Sequence, residues 1–243
     1  MKKSLSAYNL KLIAITAMVL DHLVYIINFL PIGTAPAAYL SFFLCMAGRI
    51  TMPVMCFFIS EGYYHTKNLK KYFMKLFIFA VISQLPYYFY FVFSGFTTPL
   101  GFIKANILNT NVLVTLFLGL CALTLAKSEN IHSVIKVIGV LICILLSKYS
   151  DWSLYGVIWV LVFGLFRGSP KKQFGVFSLF VILRAFLNSG NSILNLILQL
   201  SCLLALIPLS GYNGGLGKKS GFLFYIFYPA HLAVLAIIRY ILI

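Results

Sequence analysis

The first apolar run, residues 8–30, constrains the fold of this chain more than any other feature of its sequence. The run is long enough to cross a bilayer as an α-helix, which needs about 20 apolar residues. It carries Lys11 near its start and the pair Asp21 and His22 near its middle. An ionisable group at that depth costs roughly 2.5–3.5 kcal/mol, so a membrane helix keeps one only where it has a partner or a task. The run therefore predicts a transmembrane helix that contains functional polar residues.

The rest of the chain is similarly apolar. Of its 243 residues, 62% are hydrophobic and 9% are charged, and the mean hydropathy is +1.00. A soluble domain with so little polar surface would not stay in solution, and continuous apolar runs indicate helices rather than a β-barrel. We predict an all-α, polytopic integral membrane helix bundle, with residues 1–243 forming one domain. The first run is too long for a cleavable signal peptide.

Apolar runs of bilayer-spanning length predict about nine transmembrane helices, with eight or ten as alternatives. Basic residues are concentrated in alternate loops between these runs, which places the N-terminus in the cytoplasm and the C-terminus outside by the positive-inside rule. The predicted location is the cytoplasmic (inner) membrane of a bacterium. The predicted helices cover residues 10–30, 38–63, 73–94, 106–126, 132–148, 151–167, 173–188, 192–209 and 221–242.

Charge distribution and cysteine spacing argue against two classes of function. The formal net charge is +15, but the basic residues form short clusters between apolar runs rather than one basic surface, so we expect no nucleic-acid binding. The five cysteines lie within apolar runs and have no paired spacing. We interpret them as core residues rather than as disulfides or metal ligands, and we expect no metal site.

Lys11 and His22 lie on one face of the first predicted helix, because eleven residues at about 100° each return to within about 20° of the same direction. His22 is a candidate general base, since imidazole titrates near neutral pH. Asp21 is the neighbouring carboxylate, which would orient His22 or balance its charge. Adjacent residues on a helix point about 100° apart, so Asp21 contacting a cation on another helix is one alternative. A polar pair that only fixes helix packing is another.

Arg49 is a candidate anion-binding residue in the second predicted helix. Its planar guanidinium matches the oxygens of a carboxylate or phosphate, and an ion pair with Asp21 is the alternative. Pro53, four residues later, is expected to kink this helix.

Further polar residues in or beside the apolar runs are candidates for binding the substrate or supporting the site. The segment 83–86 is expected to break the third predicted helix, the segment 106–115 to open the fourth, and the segment 225–231 to form a polar break in the last. Hydrogen bonds between helices are the favoured role of the first two segments. The candidates are Glu61, Ser83, Gln84, Asn213, Tyr228 and His231.

The chain resembles the TraX family over nearly its whole length. The most specific matches are the pair Asp21–His22, the segment 48–53 with its Gly-Arg and Pro, and Ser-Gln-x-Pro at 83–86. The resemblance implies acetylation of the N-terminal residue of a pilin, with acetyl-CoA as the donor. The matching segments, in order, are LKLIAITAMVLDH, GRITMPVMCFFISEGYYHTKN, AVISQLPYYF, NVLVTLFLGL, SLYGVIWV, LSGYNGG and FYIFYPAHL.

A weaker resemblance extends to the acyltransferase-3 family and to transmembrane acetyltransferases in general. Their first helix carries an arginine, ten residues and then a catalytic histidine, and here Lys11 and His22 occupy those places. The replacement of arginine by lysine loses bidentate recognition of an anion.

These observations favour an enzyme, a membrane acetyltransferase that takes acetyl-CoA from the cytoplasm. Lys11 and Arg49 would bind the coenzyme, and His22 would act at mid-depth. The acceptor would be an amine or hydroxyl of an envelope protein, glycan or lipid, with a pilin-like N-terminus as the family precedent. Membrane lipid surrounds such a protein, and a homo-oligomer is compatible with the sequence.

Two other classes of function stay open at this point. In a proton-coupled transporter or flippase, Asp21, His22 and Arg49 would form a relay or gate. In a noncatalytic assembly factor, only residues that pack the helices would matter.

Overall fold

The computed structural model describes residues 4–27, 35–93, 98–218 and 221–242. Within these ranges the chain is predominantly helical and has no β-strand beyond two isolated bridges, which confirms the predicted all-α class. A π-helical turn (Tyr88–Val92) follows α4, and a short 3-10 segment (Ser201–Ala205) joins α10 to α11. The helices are α1 (Ala7–Ile27), α2 (Ala35–Gly48), α3 (Thr51–His65), α4 (Leu69–Tyr87), α5 (Pro99–Leu108), α6 (Val112–Lys127), α7 (Ser133–Leu146), α8 (Ser153–Leu165), α9 (Pro170–Asn188), α10 (Ile193–Leu200), α11 (Leu206–Ser210) and α12 (Gly221–Leu242).

Several of these helices mark the chain as a membrane protein, but the predicted number of spans is not confirmed. Within the described ranges, five helical stretches are long and apolar enough to cross a bilayer. The helices α6 and α8 have 16 and 13 residues and at 1.5 Å per residue reach only about 24 Å and 20 Å. The five stretches are Ala7–Ile27, Pro36–His65, Leu69–Val92, Ile193–Ser210 and Phe224–Leu242.

The chain divides into two compact units, each assembled from separated stretches of sequence. The first unit consists of Met1–Phe58, Phe166–Ser220 and Leu242–Ile243, and the second consists of Ile59–Leu165 and Gly221–Ile241. The expectation that residues 1–243 form one domain stays a prediction.

In the first unit, α1 packs against α2, and α9 packs against α10. The buried face of α1 repeats every three or four residues and is rich in alanine, with Ala7, Leu10, Ala14 and Ala17 all buried. Small side chains let helix backbones approach closely, as in other membrane proteins.

In the second unit, α6 is the central helix and packs against α4, α7 and α8. Two glycines allow α6 and α8 to approach closely, since a Cβ at Gly119 would lie 2.8 Å from a methyl of Val160 and one at Gly164 would overlap Leu123. The large side chains of Trp159 and Phe163 on α8 are fully buried in this core.

Two helix breaks that the sequence predicts, at Pro86 and at Pro229, do not occur. The helix α4 continues through Pro86 to Tyr87 and then widens into the π-helical turn. The guanidinium of Arg239 donates to the carbonyls of Tyr90 and Phe93 at the end of that turn. The last helix, α12, likewise continues through Pro229.

The predicted start of the fourth span, at residue 106, is also wrong, because that residue lies in α5. The polar residues expected to open it instead form a junction between a separate helix, α5, and α6. Asn109 ends α5, and Asn111 caps α6 by accepting a hydrogen bond from the Leu113 N–H at 3.0 Å. Asparagine favours such caps over helix interiors, because its side chain competes for backbone hydrogen bonds.

Candidate functional site

Helix α1 carries three of the predicted site residues in one uninterrupted element. Because α1 is regular from Ala7 to Ile27, Lys11 and His22 are separated by about 16 Å along its axis. Asp21 continues the three- and four-residue spacing of the buried face, between Ala17 and Val24. His22 is half-buried and points about 100° away from Asp21 around the helix.

The carboxyl group of Asp21 is fitted against the end of α2. A Cβ on Gly48 would lie 2.6 Å from Asp21 Oδ1, so only glycine leaves room for this carboxyl. The Cys45 side chain hydrogen-bonds with the Asp21 carboxyl, and Arg49 interacts with it electrostatically. The structure therefore places Asp21 beside a cation from another element, which was the alternative to its orienting His22.

Arg49 lies at an interruption between α2 and α3. Residues 49 and 50 form a turn, four residues before Pro53, rather than the kink expected at the proline. Pro53 has no N–H to donate to the carbonyl four residues earlier, which favours an interruption there. Thr51 starts α3, and its hydroxyl donates to the Ala14 carbonyl at 2.9 Å, which fixes this turn to the middle of α1.

The N-terminal end of α1 is enclosed by the glycine-rich loop that follows α11. Backbone hydrogen bonds join Leu5 to Gly211 at 2.9 Å and Ala7 to Gly215 at 2.8 Å. Lys11 Nζ lies 5.1 Å from the centre of the Phe58 ring, and Phe58 stacks edge-on with Tyr212 of the loop.

Asn213 and Lys218 belong to the same loop. Asn213 donates its backbone N–H to the Leu5 carbonyl at 3.0 Å, and its side-chain oxygen accepts from the Gly215 N–H at 2.8 Å. Asn213 therefore shapes the loop around the start of α1. Lys218 Nζ lies 5.9 Å from the centre of the Tyr8 ring, which places a second ammonium group at the Lys11 end of the helix.

Arg184 is a further arginine of the first unit, which the sequence analysis did not single out. It lies on α9, where its Nη1 is 3.8 Å from the sulfur of Cys202. Arg49 interacts electrostatically with the same thiol. The signal that marks Arg184 in the sequence is an arginine within the apolar run FSLFVILRAFL, which is as unusual as Arg49 in its own run.

In the second unit, Gln84 has the interhelical role that was favoured for its segment. Its oxygen accepts from the Asn111 side chain at 2.8 Å and from the Asn111 N–H at 3.0 Å. Its nitrogen donates to the Asn109 carbonyl at 2.9 Å. Ser83 is fully buried beside it, and its hydroxyl has no hydrogen-bond partner among the described residues.

Three further predicted residues of the second unit have partners on helices. Glu61 lies 3.7 Å from His65 Nδ1, one turn along α3. Tyr228 is buried and hydrogen-bonds with the Val112 backbone at the start of α6. His231 Nδ1 lies 2.9 Å from the Phe227 carbonyl of its own helix, and its ring stacks on Phe227 at 4.8 Å. The contact of Tyr228 joins α12 to α6, whereas the contacts of Glu61 and His231 each lie within one helix.

Comparison with known proteins identifies the family. The sequence profile described as TraX protein matches residues 6–239. The chain belongs to the TraX family. A relative from Dichelobacter nodosus, a probable fimbrial assembly protein FimC of serogroup H1, is 32% identical to this TraX chain over 239 residues, which cover 95% of the chain and 94% of the relative. No solved structure matches this TraX chain significantly.

Chemically, the first unit offers a carboxylate held between a thiol and a guanidinium, an imidazole next to it on α1, and ammonium groups about two to three helical turns away. Imidazole can transfer a proton near neutral pH, and guanidinium and ammonium groups bind oxyanions. The second unit contributes the amide side chains of Gln84 and Asn111 and the contact between Glu61 and His65 along α3.

Proposed function

We propose that this chain is a membrane-embedded acetyltransferase that transfers the acetyl group of acetyl-CoA to an amine or hydroxyl of an envelope acceptor. The N-terminal amine of a fimbrial subunit is the preferred acceptor, because the similar protein from Dichelobacter nodosus is described as a fimbrial assembly protein. The observation that carries the proposal is the half-buried His22 next to the Asp21–Arg49 pair, within an apolar helix of a TraX chain.

In the proposed reaction, His22 removes a proton from the acceptor as its nitrogen or oxygen attacks the acetyl carbonyl. The new C–N or C–O bond forms as the C–S bond breaks, and the proton passes from His22 to the departing thiolate of coenzyme A. Atoms and charge balance without a metal or an oxidant. Asp21 is a positioning residue that fixes Arg49 and the end of α2 against α1.

The coenzyme phosphates would be bound at the Lys11 end of α1. Lys11 and Lys218 place two ammonium groups at that end, and the loop that precedes Lys218 has positive φ at Gly214 and Gly217. With the N-terminus cytoplasmic, as the basic loops indicate, this end would face the cytoplasmic pool of acetyl-CoA. The pantetheine arm is long enough to extend along α1 towards His22.

The direct test measures transfer of labelled acetyl from acetyl-CoA to a fimbrial subunit in membranes that contain the full chain. His22→Ala is expected to lower the rate about 100-fold or more, the usual contribution of a general base. His132→Asn is the matched control, because His132 caps α7 through its side chain and asparagine can also cap a helix. Full transfer by His22→Ala at a normal protein level would exclude His22 as the base.

One observation favours a second candidate, a proton-coupled transporter or flippase. The stretch Pro36–His65 is interrupted at Arg49, and helices interrupted beside a charged residue form the binding sites of many transporters. In that case reconstituted vesicles would take up substrate with protons and without acetyl-CoA. Uptake that His22→Ala abolishes, together with no acetyl transfer, would replace the enzyme by the transporter.

A further inference from the structure

Four lysines lie close together at the start of α4, and all four are exposed. Asn68 caps the helix at this point, where its side chain accepts a hydrogen bond from the Lys71 N–H at 2.8 Å. None of the four ammonium groups pairs with an acidic side chain among the described residues. This end of α4 therefore carries a concentrated positive charge that neighbouring side chains do not neutralise. The lysines are Lys67, Lys70, Lys71 and Lys75.

The part of α4 that follows exposes a continuous apolar face. Its residues are 45–59% exposed and lie on the side of the helix opposite the buried Leu76, Ala80 and Ser83. The face extends about 16 Å along the helix axis, which is close to the depth of one leaflet of the hydrocarbon core, about 15 Å. We call Met74, Phe77, Ile78, Val81, Ile82 and Leu85 the outer face of α4.

Three of the lysines lie on the same side of the helix as this outer face. Lys70 precedes Met74 by four residues, and Lys71 and Lys75 precede Ile78 by seven and three residues. Residues at these spacings share one side of an α-helix. A long lysine side chain can also lie along apolar surface while its ammonium group stays at the level of the lipid head groups. The outer face of α4 thus combines an apolar length with a cationic end.

We propose that the outer face of α4 is a binding site for an anionic phospholipid. The lipid phosphate lies among Lys70, Lys71 and Lys75, and the acyl chains lie along the apolar residues. Each lysine near a membrane surface strengthens the attraction to anionic lipid about fivefold. With the N-terminus cytoplasmic, this end of α4 faces the cytoplasmic leaflet. The site does not depend on the proposed acetyltransferase function.

Charge favours a lipid over a second copy of the chain as the occupant of this face. Copies of a membrane protein have the same orientation in the bilayer, so a twofold contact through α4 would bring two lysine clusters together. Like charges at such a contact repel each other, whereas a lipid phosphate attracts them. Helix α7 also exposes an apolar face, but its one lysine, Lys136, is half-buried. That face lacks the cationic end and serves as a comparison within the same unit.

The first test measures lipid binding by the full chain in a neutral detergent, with native mass spectrometry as the readout. The probes are phosphatidylglycerol, which is anionic, and phosphatidylcholine, which has no net charge. We expect tighter binding of phosphatidylglycerol, and a triple variant with Lys70, Lys71 and Lys75 changed to Gln should lose about 100-fold in affinity for it. Equal affinity for the two lipids, or unchanged affinity in the triple variant, would overturn the proposal.

Two variants serve as controls for this measurement. Changing the same three lysines to arginine keeps the positive charge and should keep the affinity for phosphatidylglycerol. Lys127→Gln removes an exposed lysine at the end of α6, away from the outer face of α4, and should bind as the unaltered chain does. A loss in Lys127→Gln as large as that of a single Lys71→Gln variant would show that only the total charge matters, which contradicts a site on α4.

The second test locates the lipid. Phosphatidylglycerol with a photoreactive group in its acyl chain is crosslinked to the full chain in phosphatidylcholine vesicles, and the labelled peptides are mapped. The label is expected to concentrate on residues 74–85 and to fall to the level of α7 in the triple glutamine variant. Equal labelling of α4 and α7 in the unaltered chain would contradict the site. Disulfide crosslinks between copies of a Val81→Cys variant, in a chain whose native cysteines are replaced, would identify a second copy as the occupant instead.

Discussion

At the scale of single residues, the position of the Asp21 carboxyl depends on a glycine on another helix. Gly48 is the last residue of α2, and the space that its missing side chain leaves is filled by that carboxyl. Arg49 follows directly, so the same contact fixes the guanidinium that interacts with Asp21. In the segment 48–53, which resembles the TraX family, Gly48 therefore matters because it has no side chain and leaves room for Asp21.

Gly48→Ala should therefore damage the site through packing. The added methyl overlaps Asp21, and overpacking of this kind usually costs about 1–3 kcal/mol. We expect a lower melting temperature in detergent and a loss of acetyl transfer greater than the loss of folded protein. Gly175→Ala on α9 is the control, since a Cβ there meets nothing within 4 Å. Equal melting temperatures for the two variants would show that the α1–α2 contact is looser than described.

At the scale of elements, the junction of α4, α5 and α6 is joined by amide side chains. Asn111 is fully buried, and it caps α6 while its Nδ2 donates to the Ala80 carbonyl and the Gln84 oxygen, each at 2.8 Å. An amide that serves two elements at once contributes more than an exposed cap, because its removal leaves buried acceptors without donors.

Asn111→Ala is expected to destabilise the folded chain by about 2–4 kcal/mol, from the lost cap and the lost buried hydrogen bonds. Asn68→Ala is the matched control, because Asn68 also caps a helix, with a bond of 2.8 Å to the Lys71 N–H, but lies at an exposed position. The free energy of unfolding of Asn68→Ala should fall by about 1 kcal/mol. Thermal unfolding of both purified variants tests the difference, and similar losses would mean that the buried amide network adds nothing to the cap.

At the scale of the whole molecule, the number of membrane crossings decides which loops share a side. The nine predicted spans place the loops around residues 68 and 130 on the same side of the membrane. Five spans, formed by the long apolar stretches alone, would place them on opposite sides. The basic residues Lys127 and Lys136 flank the second loop, which favours the cytoplasmic side for both.

Labelling of introduced cysteines measures directly which loops lie on the same side of the membrane. In a chain whose native cysteines are replaced, Asn68→Cys and Asn130→Cys put a thiol at two exposed positions. We expect an impermeant maleimide to label both from the same side of sealed vesicles. Labelling from opposite sides would reduce the crossings to the five long stretches, and α5 to α9 would then lie outside the bilayer.

The sequence by itself determined the all-α class, the membrane setting and the family, because apolar runs, rare buried charges and short motifs are properties of contiguous residues. Asp21 and Gln84 lie inside apolar helices as predicted, whereas Arg49 lies in the turn between α2 and α3. Helix ends were less predictable, since Pro86 and Pro229 lie within continuous helices.

Only the tertiary structure decided which residues meet. It placed Asp21 against Gly48, Cys45 and Arg49, and it brought Arg184 to Cys202 from a segment that had suggested no role. These contacts join positions far apart in the chain, and their specificity comes from the shape and charge of packed helix faces. Hydropathy indicates that a helix face is buried but not which other face it is buried against, so the contact of Arg184 with Cys202 became visible only once the helices were packed.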